Sequence, residues 1–324
     1  MDSLNKISKP VAYELKQFEP YFRASLKSKV PLLDIITNYV IRRKGKQMRP
    51  LLVFLSAGLL GSINPKTKTA AALIELLHTA TLIHDDVVDE ADTRRGFFSV
   101  KALWKSKIAV LVGDFMLSKG LLLAVENEAF DILKIVSEAV REMAEGELLQ
   151  IEKSRKLDIS EDVYFDIITK KTATLTAACT AAGAQSVNAG KSQVEKLKLF
   201  GQYAGIAFQI KDDLFDYQKT GLTGKPAGND IQEKKMTLPL IYALNNASSK
   251  EKKHILRIIG NSKKSQNKIE EVHNFVRKNG GLEYTEKKML EFRDKAIAQL
   301  NSFEESEIKS SLCELIFFIT LRNS

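Results

Sequence analysis

The chain has 324 residues, 44% hydrophobic and 27% charged, with 7 prolines and 17 glycines, a balance that fits a folded globular protein and excludes a disordered or fibrous one. A formal charge of +9 points to anionic partners, while 40 acidic residues beside 49 basic ones argue against a nucleic-acid-binding stripe. Cys179 and Cys313 are far apart and form neither a disulfide framework nor a zinc spacing, so a cytoplasmic location is expected.

The opening MDSLNKISKPVAYELKQFEP has no basic region leading into an apolar run, so no secretory signal is expected. Apolar spacing of three and four residues then predicts helices over 9–26 (Pro10 in the first turn, Pro20 as a kink), 31–43 and 48–61. The apolar run 50–62 falls short of the roughly 18–20 residues that cross a bilayer, and no membrane span is expected. A long helix follows over 71–90, then others at 106–127, 131–152, 161–187 and 194–217. The remainder reads as helices at 234–246, 250–260, 266–278, 282–302 and 306–321. Loop signals stand at Gly61, at KTGLTGKPAGND (219–230) and at Asn279-Gly280-Gly281. No period-two alternation predicts a strand. The expectation is an all-α single domain over 1–324, a bundle of long antiparallel helices around a deep central cavity.

Two of the long helices end alike. Residues 82–95 read LIHDDVVDEADTRR and 208–217 read FQIKDDLFDY, giving Asp85, Asp86 and Asp89 in one D-D-x-x-D and Asp212, Asp213 and Asp216 in the other. On a helix the first and last carboxylates of this pattern share a stripe, with the middle one beside it. Three such charges repel unless a cation sits among them. Carboxylates without His or Cys favour Mg²⁺, which takes its other ligands from water and phosphate. Cations complete the pattern: Lys46 and Arg49 in GKQMRP, Arg94 and Arg95 in TRRG, Lys171 beside Thr172 in KKTATL, Lys225 in TGKPAGND and Lys235 in EKKMTLPL. Together they describe a site for two diphosphates, one bridged by metal and one held by cations. His78 lies seven residues before Asp85, two turns below it on the same helix face, whereas His84 points elsewhere and reads as structural.

From Gly45 to Leu240 these motifs, with VLVGDF and EGELLQ between them, resemble in order the trans-isoprenyl diphosphate synthases (polyprenyl synthetases) of the long-chain, octaprenyl type. The resemblance extends more weakly to NGGLEYTEKK. It implies a bundle of about ten or more core helices in a homodimer. Asp85, Asp86, Asp89, Asp212 and Asp216 would hold three Mg²⁺ ions, with Asp213 in support. Arg94, Lys171, Lys225 and Lys235 would bind the allylic diphosphate, farnesyl or geranyl. Lys46, Arg49, His78 and Arg95 would bind isopentenyl diphosphate, and Thr172 and Gln209 would line the reacting centre. Some short-chain members carry an acidic residue at Gln150; Glu147 and Gln150 here look like the longer-chain version, with a role towards metal-bound water.

The implied reaction is 1'-4 condensation, and an apolar tunnel behind the aspartates would explain why acidic clusters end apolar helices: a carbocation needs dry surroundings. Ala80 and Thr81 are small one turn below the metals, Leu77 lies a turn deeper, and Leu121, Leu123 and Ala124 are expected on the facing wall. One isoprene unit spans roughly one 5.4 Å helix turn. The expected product is therefore long, near C40, with contact at a membrane surface for its release. A shorter-chain synthase is the alternative within the family. A terpene cyclase would replace the second aspartate cluster, and a non-catalytic partner subunit would lose aspartates.

Overall fold

Apolar spacing of three and four residues becomes helix along most of the chain in the computed structural model, which describes residues 2–42, 47–94, 96–157, 159–217, 228–261 and 265–321. In chain order the helices are α1 Asp2–Ser8, α2 Ala12–Ser25, α3 Pro31–Arg42, α4 Met48–Leu60, α5 Pro65–Val88, α6 Val100–Glu126, α7 Phe130–Lys156 and α8 Glu161–Ile168. There follow α9 Thr174–Ser186, α10 Lys191–Phe215, α11 Asn229–Gln232, α12 Leu238–Asn245, α13 Ser249–Gly260, α14 Gln266–Lys278, α15 Gly281–Leu300 and α16 Glu307–Leu321. Contacts group the chain into two compact units. The first holds Met1–Val140, Ala178–Lys198 and Phe303–Leu312; the second holds Arg141–Ala177, Leu199–Ser302 and Cys313–Ser324.

In the first unit α5 is almost wholly buried from Ala70 to Leu77. Its start is set chemically: Pro65 occupies the first turn, the Asn64 side chain accepts from the Thr67 backbone N–H, and Asn64 Nδ2 donates to Ser186 O at 3.0 Å. Such a cap contributes about 1 kcal/mol. Phe18 packs on Phe22 and edge-on against Phe54, with ring centroids 5.6 and 5.8 Å apart, fixing α2 against α4. Pro20 does stand inside α2, on its exposed face.

Helix α6 packs along α5, and Gly120 lets them touch: a Cβ there would lie 3.2 Å from Leu73 Cδ1. The helix begins earlier than the spacing predicts because Ser99 Oγ caps an extra turn, accepting from the Ala102 N–H at 3.0 Å. That turn is separated from the rest by Lys105, whose φ of 66° and ψ of 162° fall where side chains other than glycine are strained. A second departure is a short antiparallel ribbon, β1 Thr93–Arg94 on β2 Phe97–Phe98, turning at Gly96 (φ 77°). Two residues per strand are too few for alternation to register in the sequence. The apolar run at 50–62 also proves a poor guide to membrane-compatible length. Among the described residues one helix, Val100–Glu126, is long and apolar enough to cross a bilayer, and a third of its most apolar stretch (33%) is buried. It carries Asp114 and Lys119 within its length, which a span would have to accommodate.

The second unit is built on α12, buried along nearly all its length, with Ile255, Ile258, Ile259, Val272 and Val276 from α13 and α14. Gly281 lies so close to α12 that a Cβ would stand 2.3 Å from Pro239 O. The single helix expected over 161–187 is interrupted: residues Thr169–Ala173 form a π turn between α8 and α9. Such bulges gather at functional sites because they re-aim side chains within a helix.

Candidate active site

In the first unit the C-terminal turn of α5 carries the first aspartate cluster. Asp86 is buried, at 4% exposure, and Arg94 on β1 donates from Nε to its Oδ1 at 2.6 Å. Burial raises the Asp86 carboxyl above its usual range, and the Arg94 bond and charge oppose that rise. The ribbon that presents Arg94 is held from two sides. Tyr39 OH donates to Phe98 O at 2.6 Å and its ring meets Trp104 edge-on at 5.1 Å; Ser99 Oγ donates to Ala91 O at 2.7 Å.

A cavity of about 160 Å³ brings Arg49, His78, Asp86 and Arg94 together over an apolar lining that includes Phe22, Leu26, Ile83 and Met116. Glu75 lines it too, with one carboxylate oxygen, Oε2, buried and without a hydrogen-bond partner among the described residues. Its signal in the sequence is its place one turn before His78. His84 turns away as expected: Nε2 lies 3.2 Å from Val110 O, and a Cβ on Gly113 would collide with its ring.

In the second unit a chain of hydrogen bonds links three elements. Thr172 Oγ1 donates to Gln209 Oε1 at 2.9 Å, Gln209 Nε2 donates to Asp213 Oδ1 at 2.9 Å, and Tyr164 OH donates to Asp213 Oδ2 at 2.7 Å. Asp213 is 4% exposed. Burial, reinforced by the nearby Asp230, pushes its carboxyl up to about 8, against the pull of the Tyr164 and Gln209 bonds. The π turn places Lys171 Nζ 2.5 Å from Glu147 Oε2 and 3.4 Å from Gln150 Oε1. Gly146 makes that approach possible, as shown by the 2.8 Å that would separate its Cβ from Lys171 N. Asp212 is exposed and Asp216 half-buried. Lys235 Nζ lies 2.5 Å from Glu233 Oε2 and 3.8 Å from Asp230 Oδ1. Lys46, Arg95 and Lys225 lie outside the described residues.

The residues expected along the tunnel divide. Leu77, Ala80 and Ala124 are buried, Thr81 is half-buried with Oγ1 donating to His78 O at 2.8 Å, and Leu123 is half-buried. Leu121 is 46% exposed and is not part of the wall facing α5. Gly120 and Ala124, four residues apart, carry the buried stripe of α6, and Leu121 is rotated about 100° from Gly120. Gly120 takes the place opposite Leu77, 3.6 Å from its Cδ2 on a built Cβ.

The polyprenyl synthetase family model matches residues 30–276. The chain belongs to the polyprenyl synthetase family. An all-trans-nonaprenyl-diphosphate synthase of Rhodobacter capsulatus, described as geranyl-diphosphate specific, is 38% identical over 97% of each chain. The octaprenyl diphosphate synthase of Escherichia coli is 35% identical over 99% of each. A polyprenyl synthase structure from Caulobacter crescentus, complexed with calcium and isoprenyl diphosphate, superposes with a TM-score of 0.91 at 34% identity, covering 99% of this chain and 98% of that one. The fold is thus the all-α fold of the polyprenyl synthases, and the activity of this family is prenyl transfer. Two residues that support the site are not singled out by the sequence: Tyr164, seven residues before Lys171, lies in no motif, and Gly146 lies within EGELLQ, where Glu147 and Gln150 draw the attention.

Proposed function

We propose that the protein is a long-chain trans-polyprenyl diphosphate synthase, adding isopentenyl diphosphate units in 1'-4 linkage to an allylic diphosphate and releasing diphosphate at each round. The observation that carries this reading is the cavity where Arg49, His78, Asp86 and Arg94 stand over an apolar lining. Its volume is close to the roughly 150 Å³ that accommodates benzene, a size that suits the five-carbon hydrocarbon part of isopentenyl diphosphate.

The donor set fits Mg²⁺. It offers carboxylate oxygens without His or Cys, and among the described residues no three His, Cys, Asp or Glu side chains form a ready cage. Mg²⁺ behaves accordingly, taking one or two carboxylates and completing its shell with water and phosphate. Asp85, Asp86, Asp89, Asp212 and Asp216 would hold three such ions, and both oxygens of Asp213 are already engaged, which suits a supporting role. Bound Mg²⁺ supplies positive charge against the departing diphosphate.

Arg94, Lys171, Lys225 and Lys235 bind the allylic diphosphate as its C1–O bond breaks and the electron pair leaves with oxygen. Lys46, Arg49, His78 and Arg95 hold isopentenyl diphosphate so that its C3–C4 double bond reaches the allylic C1. The C2 proton then passes to the released diphosphate, restoring a double bond. Thr172 and Gln209 line the reacting centre, and the apolar lining keeps water from the cation.

Ala80 and Thr81 leave room for the growing tail, which favours a product near C40, and Gly120 joins the wall opposite Leu77. The exposed apolar side chains Val110, Leu111, Leu121, Leu122 and Val125 on α6 support burial against a second copy in a homodimer. The reaction is assigned to the cytoplasm, in keeping with a content of two cysteines without a disulfide or zinc spacing, and the oily product leaves through peripheral contact with a membrane surface. Incubation with farnesyl and isopentenyl diphosphates tests the reading. Mg²⁺-dependent release of diphosphate is expected, and its absence with both geranyl and farnesyl primers would refute it.

A further inference from the structure

Tyr164, on α8, carries a buried hydroxyl. At 4% exposure it pays a desolvation cost unless its hydroxyl is bonded, and the bond goes to Asp213 Oδ2 at 2.7 Å. Asp213 has no freedom left, because its other oxygen accepts from Gln209 Nε2 at 2.9 Å. That bond dictates the Gln209 amide: nitrogen towards Asp213, oxygen towards Thr172, whose Oγ1 donates to it at 2.9 Å. Thr172 sits in the π turn immediately after Lys171. The chain therefore runs from α8 through the second aspartate motif of α10 into the turn that presents a cation and a hydroxyl to substrate.

We propose that Tyr164 is a positioning residue, acting through Asp213 on Gln209 and Thr172 to fix the reacting centre; this rests on the functional reading above. It touches no substrate. Its hydroxyl locks the Asp213 side chain in one rotation, and that side chain locks the amide and, through it, the Thr172 hydroxyl. A static scaffold role predicts only lost stability. A role through the chain predicts coupling between Tyr164 and Thr172, two residues joined by Asp213 and Gln209.

The test is a double-mutant cycle with Tyr164→Phe and Thr172→Val, read as kcat and KM with helicity and melting temperature as controls. Tyr164→Phe should lower kcat fivefold or more with KM for isopentenyl diphosphate within twofold, and that loss should shrink below twofold in the Thr172→Val background. An unchanged kcat in Tyr164→Phe, or the same fold loss in both backgrounds, would overturn the proposal. If Tyr164→Phe does not fold, 3-fluorotyrosine at position 164 alters the donor while keeping ring and hydroxyl. It should shift kcat at least twofold in the native background and not with Thr172→Val; equal shifts, or none, would overturn the proposal. Unmutated protein that releases no diphosphate would refute the functional reading itself, an outcome visible before any variant is made.

Discussion

The Cβ that Gly146 lacks would stand 2.8 Å from the backbone nitrogen of Lys171 and 2.8 Å from Lys170 Cβ. A flexible side chain yields to such a contact by changing rotamer, but a backbone atom in a π turn does so only by moving the turn. Gly146→Ala should cost about 1–3 kcal/mol through overpacking, offset by up to about 1 kcal/mol of helix propensity. The larger effect should be on turnover, because the displaced turn carries Lys171 and Thr172. Chemical denaturation and steady-state kinetics together check this: a small fall in stability with a kcat loss of tenfold or more is expected.

The cations should separate kinetically. Arg49 lines the cavity assigned to isopentenyl diphosphate, whose diphosphate is not the leaving group in the round in which that unit adds, so Arg49→Ala should chiefly raise KM for that substrate. Lys171, held by Glu147 at 2.5 Å, is the cation proposed for the allylic diphosphate, whose charge grows as its bond breaks, so Lys171→Ala should chiefly lower kcat. Reversal of the two patterns would mean the diphosphate sites are exchanged.

Product length should respond to one side chain. Ala80 is fully buried on α5, one turn below the first aspartate cluster and one turn above Leu77. Ala80→Phe should fill the tunnel and move the product towards C15–C20 while condensation continues. Chromatography of dephosphorylated products reads the shift, and an unchanged length would place the tail elsewhere.

Acid should weaken the fold partly through His273. Burial, with the Arg277 charge, lowers its pKa from 6.5 to about 4; its Nε2 is buried without a hydrogen-bond partner among the described residues, where the ring packs 4.9 Å from Tyr217. The unfolded chain therefore gains the proton first. Stability from this residue is complete above the unfolded value and declines as pH falls from about 6.5 to 4. His273→Phe should flatten that part of the stability–pH curve, as urea titrations at several pH values would show.

Much of the molecule was legible because its signals are local. Helix spacing marked α5 and α10, and the two D-D-x-x-D patterns marked their ends, since charge on an apolar helix stands out in one sequence window. What escaped depends on three-dimensional approach. The π turn at Thr169–Ala173 has the apolar spacing of an ordinary helix, and only packing against Gly146 and Gly205 distinguishes it. Tyr164 reads as core until Asp213 is found against its hydroxyl. Leu121, expected on the tunnel wall, is exposed, and a rotation of one residue brings Gly120 against α5 instead.

If the two carboxylate clusters act in one condensation, neither is dispensable. The most direct measurement is Mg²⁺-dependent diphosphate release by the unmutated protein beside Asp85→Ala and Asp212→Ala, with circular dichroism on all three. Removing one carboxylate of a repelling set should leave helicity intact and the metal-free fold no less stable. Release is expected from the unmutated protein, with at least a thousandfold less from either variant and unchanged helical content. Near-native release by either folded variant at saturating Mg²⁺ would contradict joint action of the two clusters.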